Sequence, residues 1–276
     1  TSTTNFFTAV GLNSLSEYCF WIKAVCVNGD TSEWTVPVCG TTGCPAAVSL
    51  PYSDDFSTYT NSSPMDITPL CWTEAEGGLT ASGSLIIRES EWEADGFANL
   101  GSSGAARIFF SPFGRSQAWL LTPVFDLGND LNANRFIEFD VALTDYFNSG
   151  PSDNGFGADD TVAFVASFDG GLTWKTSDIL IQWDTNNEPS STGTHIQYLL
   201  SNTIGKVQFG FYGVTSVNNE GVDFFVDNFS IRDSVYAGVD EIDGVTNFKV
   251  YPNPNNGQFT ILNEGNASKS SVKVVD

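Results

Sequence analysis

The sequence is poor in positive charge, in histidine and in long apolar runs. It holds 11 Lys and Arg against 33 Asp and Glu, a formal net charge of −22. A field of that sign repels phosphate backbones and anionic lipid, so nucleic acid and membrane surfaces are poor partners. One histidine, His195, and the lack of any CxxC pair leave no zinc site to read. No apolar run approaches the ~20 residues of a membrane-spanning helix, so no transmembrane segment is expected. Neither a G-x-S-x-G elbow, nor HExxH, nor a P-loop occurs, and His195 in "GTHIQYL" has no Ser or Cys in a nucleophile setting. These absences predict a protein that is not an enzyme, with no catalytic residues. The chain also opens without Met and without a signal peptide, from which its original N-terminus is expected to have been removed or to lie upstream.

What is present is aromatic and turn-forming: 22 Phe, 8 Tyr and 7 Trp beside 26 Gly and 11 Pro. Helical periodicity is almost absent, while period-two alternation recurs. "EYCFWIKAVCV" puts Tyr18, Phe20, Ile22, Ala24 and Cys26 on one face, and "TVAFVASF" (161–168), "KVQFGFYGV" (206–214) and "VDFFVDNFSI" (222–231) alternate similarly. Turn signals such as "NGD", "DGG" and "NNEG" separate these runs. The pattern predicts an all-β chain of antiparallel sandwiches. Acidity suits a soluble secreted protein, and it also attracts divalent cations, for which hard carboxylate oxygens favour Ca²⁺. Five cysteines, all within the first 71 residues, fit disulfides in an oxidising compartment, and their odd number leaves one over.

Residues 1–43 contain "LNSLSEYCFWIKAVCVNGDTSEWTVPVCGTT", which resembles the C-terminal half of a fibronectin type III domain. The carriers are Leu12, Tyr18 at the strand start, the alternating Phe20, Ile22 and Ala24, and "SEW" before the last strand. The resemblance implies a corner hydrogen bond from Tyr18 and about half of a sandwich of roughly 90–100 residues. A half-sandwich cannot fold alone, so further sequence is expected upstream. The same resemblance puts Cys26 and Cys39 on neighbouring strands as one disulfide, with Cys44 and Cys71 as a second and Cys19 unpaired.

Residues 44–235 run through "LPYSDDF", "CW", "AWLLTPVFDL", "SFDGGLTW" and "FFVDNFSI" in that order. This looks like the MAM-like or cleaved-adhesin jelly roll of secreted Bacteroidetes proteins, which implies two antiparallel sheets packed face to face. Such jelly rolls commonly hold a structural Ca²⁺ where first and last strands pair, implying ligands from Asp54, Asp55, Asp227 and Asn228. Ser57 stands where related domains often have Glu. Asp159 and Asp160 form a second acidic pair; all of these could equally be turn and strand-end aspartates. "SFDGGLTW" (167–174) resembles the Asp-box of sialidase hairpins, which implies a structural turn from Asp169, Gly170, Gly171 and Trp174. Glu74, Glu76, Glu89, Glu91 and Glu93 lie near Trp72 and Trp92 in sequence. They would serve glycoside hydrolysis, a carbohydrate-stacking face, or simple packing with solvent-facing carboxylates.

Residues 236–246 read as a linker, and 247–276 open with "NFKVYPNPNNGQFTILN". This resembles the start of a type A sorting domain of the type IX secretion system, carried by Tyr251, Pro252, Asn253, Pro254, Gly257, Phe259 and Ile261. The prolines fix φ and withhold two ladder N–H groups, so the chain turns between strands. The family's later strands and terminal basic segment do not follow. "DTV" at Thr161 and "DSV" at Ser234 match the short Bacteroidetes O-glycosylation sequon, with Ser234 at an accessible linker edge. Together the resemblances imply a secreted, adhesin-like binding protein on the outer-membrane exterior of a Gram-negative bacterium. Its partners would be the type IX translocon, its cargo-receiving outer-membrane proteins, and a glycan or surface protein, with Ca²⁺ as a structural ion. The alternative is an accessory, carbohydrate-binding region of a larger secreted hydrolase.

Overall fold

The computed structural model describes residues 6–62, 66–80, 84–111, 116–152, 155–215, 221–234, 248–251 and 260–263. Contacts divide the chain into two compact units, Thr1–Ser234 and Val235–Asp276. The first begins with β1 (Glu17–Phe20) and β2 (Val38–Thr41), then β3 (Tyr52–Asp54), β4 (Thr73–Glu76), β5 (Ile86–Ile87), β6 (Trp92–Asp95) and β7 (Ala105–Phe110). It continues with β8 (Ser116–Asp126), β9 (Arg135–Asp145), β10 (Thr161–Ser167), β11 (Ile179–Trp183), β12 (Thr194–Leu200), β13 (Lys206–Thr215) and β14 (Val222–Asp233). Two single 3₁₀ turns, Phe97–Asn99 and Thr176–Asp178, are the helical elements among the described residues.

The strands from β3 onward build the expected antiparallel sandwich. One sheet runs in the order β11-β10-β13-β8-β4-β5, the other β12-β9-β14-β7-β6, with β3 also paired to β14. Period-two alternation sorts the side chains. From β14, Val222, Phe224 and Val226 point between the sheets, as do Val141 and Leu143 of β9 and Ile108 and Phe110 of β7. Their neighbours Asp223 and Phe225 face outward, where Phe225 packs with Ala98, Ala105 and Ala142. Burying each such aromatic or aliphatic side chain contributes about 1.5–3 kcal/mol, which is why this alternation dictates the fold.

One break in the alternation falls in the middle of β14. The register with β9 shifts between Asp227 and Ser230, and Asn228 takes the left-handed conformation at φ 53°. This bulge inserts a residue and restores the inward direction at Phe229 and Ile231, both fully buried. It also divides one edge of β14: β7 pairs with Val222–Val226, and β3 pairs with Phe229–Ile231.

Residues 6–43 look different. β1 and β2 form a separate two-stranded sheet, with register Glu17↔Thr41 to Phe20↔Val38. The Asn13 N–H donates to the Tyr18 hydroxyl at 2.9 Å, a hydrogen bond reaching five residues upstream of the tyrosine. Phe20, Trp21, Ile22, Val25, Trp34, Val36 and Val38 are all exposed here.

The disulfides correct one expectation and match another. Cys44 is bonded to Cys71, as expected. The other bridge joins Cys19 to Cys39, and Cys26 is the free, exposed thiol. The physical reason is register: Cys19 and Cys39 stand directly opposite each other on β1 and β2. Cys26 lies beyond the ladder, where its carbonyl accepts the Gly29 N–H across a turn.

In the second unit, β15 (Phe248–Tyr251) pairs antiparallel with β16 (Thr260–Asn263), from Phe248↔Asn263 to Tyr251↔Thr260. Tyr251 closes β15, whereas Pro252, Asn253, Pro254, Gly257 and Phe259 lie outside the described residues. No helix among the described residues is long and apolar enough to cross a membrane.

The cysteine pairing can be checked directly. Alkylation of the unreduced, denatured chain should label one thiol, at Cys26, and non-reducing peptide mapping should recover Cys19–Cys39 and Cys44–Cys71. Recovery of a Cys26–Cys39 peptide would overturn the register described here.

Candidate functional site

The gap between β7 and β3 on the edge of β14 opens a cleft lined by Ser53, Asp54, Asp55, Thr58, Leu70, Asn228 and Phe229. The bulge makes it: where Asp227 and Asn228 pass, neither β3 nor β7 covers that edge. Asp54 and Asp55 arrive at the end of β3 and turn away through Phe56, whose φ is 52°.

Each acid is already partly engaged. Asp54 Oδ1 accepts the Phe56 N–H at 2.8 Å, and its Oδ2 accepts the Tyr52 hydroxyl at 3.1 Å. Asp55 accepts the Ser57 N–H, and Asp227 Oδ1 accepts the Asn228 N–H at 2.6 Å. The Asn228 amide donates to Asp140 Oδ2 at 2.9 Å, and Asp140 Oδ1 sits 2.8 Å from His195 Nδ1. Burial pushes the Asp227 carboxyl up to about 6, with the charges of Asp140, Asp55 and Asp54 adding to the rise. Burial also raises Asp54, opposed by the hydrogen bonds from Phe56 and Tyr52. Four aspartates therefore share one field.

The fit to a calcium ion is split. The donor chemistry is right, because hard oxygens under mutual repulsion are what a divalent cation relieves. The geometry is not ready, since among the described residues no three acidic, histidine or cysteine side chains gather as a metal-holding group. Asp140 was not legible as a member: it is an outward residue of β9, brought beside Asp227 only by strand register.

The second acidic pair is elsewhere and does different work. Asp160 is buried, accepts the Gly157 N–H at 2.9 Å and has its carboxyl raised by burial, against hydrogen bonds from Thr215 and Gly157. It closes the turn entering β10. Thr161 follows as the first residue of that strand, half-buried. Ser234 is also half-buried, its hydroxyl oxygen withdrawn from solvent and its N–H given to the Asn134 carbonyl. The accessible position expected for Ser234 is not what the fold provides.

The tryptophan-flanked glutamates do not form a face. Trp72 and Trp92 are buried; Trp72 Nε1 donates to the Tyr52 hydroxyl and its ring packs on Phe56 and Phe229. Neither ring can stack on a sugar. Glu74 is buried too, accepting the Tyr59 hydroxyl at 2.9 Å and the Ser90 N–H at 2.6 Å. Glu76 pairs with Arg88, Glu93 with Arg107, and Glu89 and Glu91 are exposed.

The Asp-box is a hairpin, as expected. Asp169 Oδ1 accepts the Ser167 hydroxyl and the Leu172 and Thr173 N–H groups, while Oδ2 accepts the Thr173 hydroxyl. Gly170 and Gly171 take positive φ of 73° and 94°. Trp174 packs at 4.9 Å from Trp119 on the outer face of the first sheet.

No family model matches the chain, and no curated protein matches it. Among solved structures, it is similar to the K1 cleaved adhesin domain of Lys-gingipain from Porphyromonas gingivalis W83, at 18% identity over 66% of this chain and 98% of that one, with a TM-score of 0.41. The K3 cleaved adhesin domain of the same protein matches at 14% identity over 66% and 96%, with a TM-score of 0.40. The CBM27-1 module of Caldicellulosiruptor saccharolyticus, solved with mannohexaose, matches at 16% identity over 58% and 90%, with a TM-score of 0.33. Likeness at this level carries no argument about function.

The hairpin makes a pH prediction. Partial burial alone would raise the Asp169 carboxyl, but the Thr173 and Ser167 hydroxyls and the two amides hold it down at about 2. A depressed folded-state value stabilises above the unfolded value near 4 and is lost as pH falls towards 2. Asp169→Ala should therefore lower the melting midpoint by a few degrees at pH 7, with the difference from wild type shrinking between about pH 4 and pH 2. A difference that is constant across that range would remove the carboxylate from the account.

Proposed function

We propose that the chain is an extracellular, adhesin-like binding protein whose sandwich engages a glycan or protein surface and performs no chemistry on it. The observation that carries this reading is the cleft at the edge of β14. Carboxylates from Asp54 and Asp55, the Asn228 amide and the hydroxyls of Ser53 and Thr58 line it, with Leu70 alongside. This is a donor set for holding hydroxyl groups or a cation, formed by the bulge rather than by a mobile lid. The glutamates that a glycosidase reading needs are instead tied to Tyr59, Ser90, Arg88 and Arg107. The two disulfides support an oxidising compartment.

Calcium belongs to the same proposal as a structural ion at Asp54, Asp55, Asp227 and Asn228. The raised Asp227 carboxyl supports it, because a bound cation would relieve that repulsion. The export reading rests on the sequence of 247–261 and is supported by the pairing of β15 with β16. It makes the type IX translocon and its cargo-receiving outer-membrane proteins the partners and the cell surface the destination. For residues 1–43, the Tyr18 hydrogen bond and the apolar face of β1 and β2 support the fibronectin type III reading. That face is the surface a second sheet covers in a complete sandwich. The accessory region of a larger secreted hydrolase stays as the second reading, since the same binding surface would serve it.

Two experiments test this. A glycan array and a thermal melt, each run with calcium and with EDTA, should give binding to at least one glycan and a melting midpoint several degrees higher with calcium. Asp227→Asn should abolish the calcium-dependent part of the shift; an EDTA-insensitive midpoint would remove the ion. Separately, a reporter fused to the chain's C-terminal region, extended to a full sorting domain, should reach the outside of a type IX-competent cell, and periplasmic retention would sink the export claim.

A further inference from the structure

The outward face of the second sheet carries a group of side chains that the cleft does not use. Phe109 of β7 stacks on Tyr146 at 4.1 Å between ring centroids with 28° between planes, and Tyr146 meets Phe147 at 4.2 Å. Tyr146 and Phe147 are 44% and 65% exposed. Aromatic rings normally withdraw from water, so three of them lying in mutual contact at the surface require a reason.

The setting beneath them is rigid and polar. Phe147 holds the left-handed conformation at φ 49°, unfavourable for a bulky residue. It is kept there by Asp223, which is completely buried and accepts the Phe147 N–H at 3.0 Å. Asp223 also accepts the Asn99 amide and the Arg107 guanidinium, at 3.0 and 2.8 Å. Asn99 in turn donates to the Thr144 hydroxyl and to the carbonyls of Asp145 and Asn148, fixing both ends of the turn. Arg107 lies 5.0 Å from the centre of the Phe147 ring and pairs with Glu93 at 2.6 Å. The chain thus spends a strained backbone and a buried ion pair to present an aromatic ring to solvent. Strain held by its surroundings at an exposed side chain is the pattern of a binding site.

We propose that Phe109, Tyr146 and Phe147 form a stacking ledge for a neutral pyranose ring, with Glu93 accepting its hydroxyls. The proposal rests on the glycan-binding reading above and names a place for it. A pyranose offers a flat C–H face to the rings and equatorial hydroxyls at its rim. Glu93 is part-exposed and uses Oε1 on Arg107, which leaves Oε2 to accept a sugar hydroxyl. Size favours a sugar over a protein: three rings make a ledge far smaller than the roughly 800 Å² per partner of a stable protein interface. Charge favours a neutral sugar, because Asp95 also lies 3.0 Å from Arg107, so that one guanidinium serves three carboxylates. A sialylated or sulfated glycan would meet net negative charge here.

The test uses the full chain and soluble hexasaccharides of β-1,4-glucose, β-1,4-mannose, β-1,4-xylose, β-1,3-glucose and β-1,4-N-acetylglucosamine, titrated by calorimetry. The wild type is expected to bind at least one of them. The Tyr146→Ala/Phe147→Ala double variant should bind it about tenfold or more weakly, and Phe147→Tyr should stay within about threefold of wild type. Because both rings are exposed, the double variant's melting midpoint should match wild type, which separates lost contact from lost fold. Unchanged affinity in the double variant overturns the ledge and leaves glycan binding to another face of the sandwich. Failure of the wild type to bind any of the five overturns the ledge as well, and a blank glycan array beside it would overturn the glycan reading itself.

Discussion

One residue, Asn228, sets the direction of half the last strand. Without its left-handed turn, the inward positions after Val226 would fall on Asn228, Ser230 and Arg232, and Phe229 and Ile231 would face water. With it, the Phe229 ring meets those of Tyr52, Trp72, Phe125, Phe139, Phe164 and Phe211, at centroid distances between 5.3 and 6.5 Å. Those rings come from both sheets and from β3, so the two layers meet over this one side chain. The same bulge leaves the edge of β14 uncovered between β7 and β3. Core packing and the acid-lined cleft are two results of a single extra residue.

Positive charge is the scarce resource of the molecule, and the fold places two of its arginines inside. Arg107 and Arg135 are both buried. Arg107 holds carboxylates of β6 and β14 together across β7, and Arg135 ties Asp233 to the carbonyls of Ala133 and Thr203. Buried guanidinium groups need such partners, because desolvation of an unpaired charge costs several kcal/mol. With these cations committed, Asp54, Asp55, Asp140 and Asp227 stand together, relieved by hydrogen bonds from Tyr52, Phe56, Ser57 and Asn228, with His195 beside Asp140. The outward face of the second sheet is therefore divided: in one stretch Arg107 gathers three carboxylates under aromatic rings, and in another the aspartates stand together.

Much of the sandwich could be read from period-two alternation, because burial of one face imposes it on every long strand. The Asp-box could be read as well, since a local turn needs only its own residues. The Cys44–Cys71 bridge agreed with expectation, whereas Cys26 was assigned the partner that belongs to Cys19. Register decides that pairing, and register depends on where the turn between β1 and β2 begins, which alternation alone does not fix. Trp72 and Trp92 beside their glutamates left a sugar-stacking face and simple packing both open, and tertiary packing takes both rings inside. The rings that do face water, Tyr146 and Phe147, and the half-buried Phe109 beneath them read as a turn and an ordinary strand residue. Only the pairing of β7, β14 and β9 brings them over Arg107. In β14, the consecutive polar residues Asp227 and Asn228 are the one visible sign of a phase slip in a run that otherwise alternates.

The Cys44–Cys71 bridge has a mechanical side. Tension applied along the backbone from residues before 44 to residues after 71 passes through the sulfur atoms, and the span between the two cysteines bears none of it. That span includes β3, which is held to β14 by only three residue pairs and supplies Asp54 and Asp55 to the cleft. A strand so lightly zipped would be the first to peel if it lay in the line of force. The bridge takes it out of that line, so the cleft keeps its shape while the chain around it is pulled.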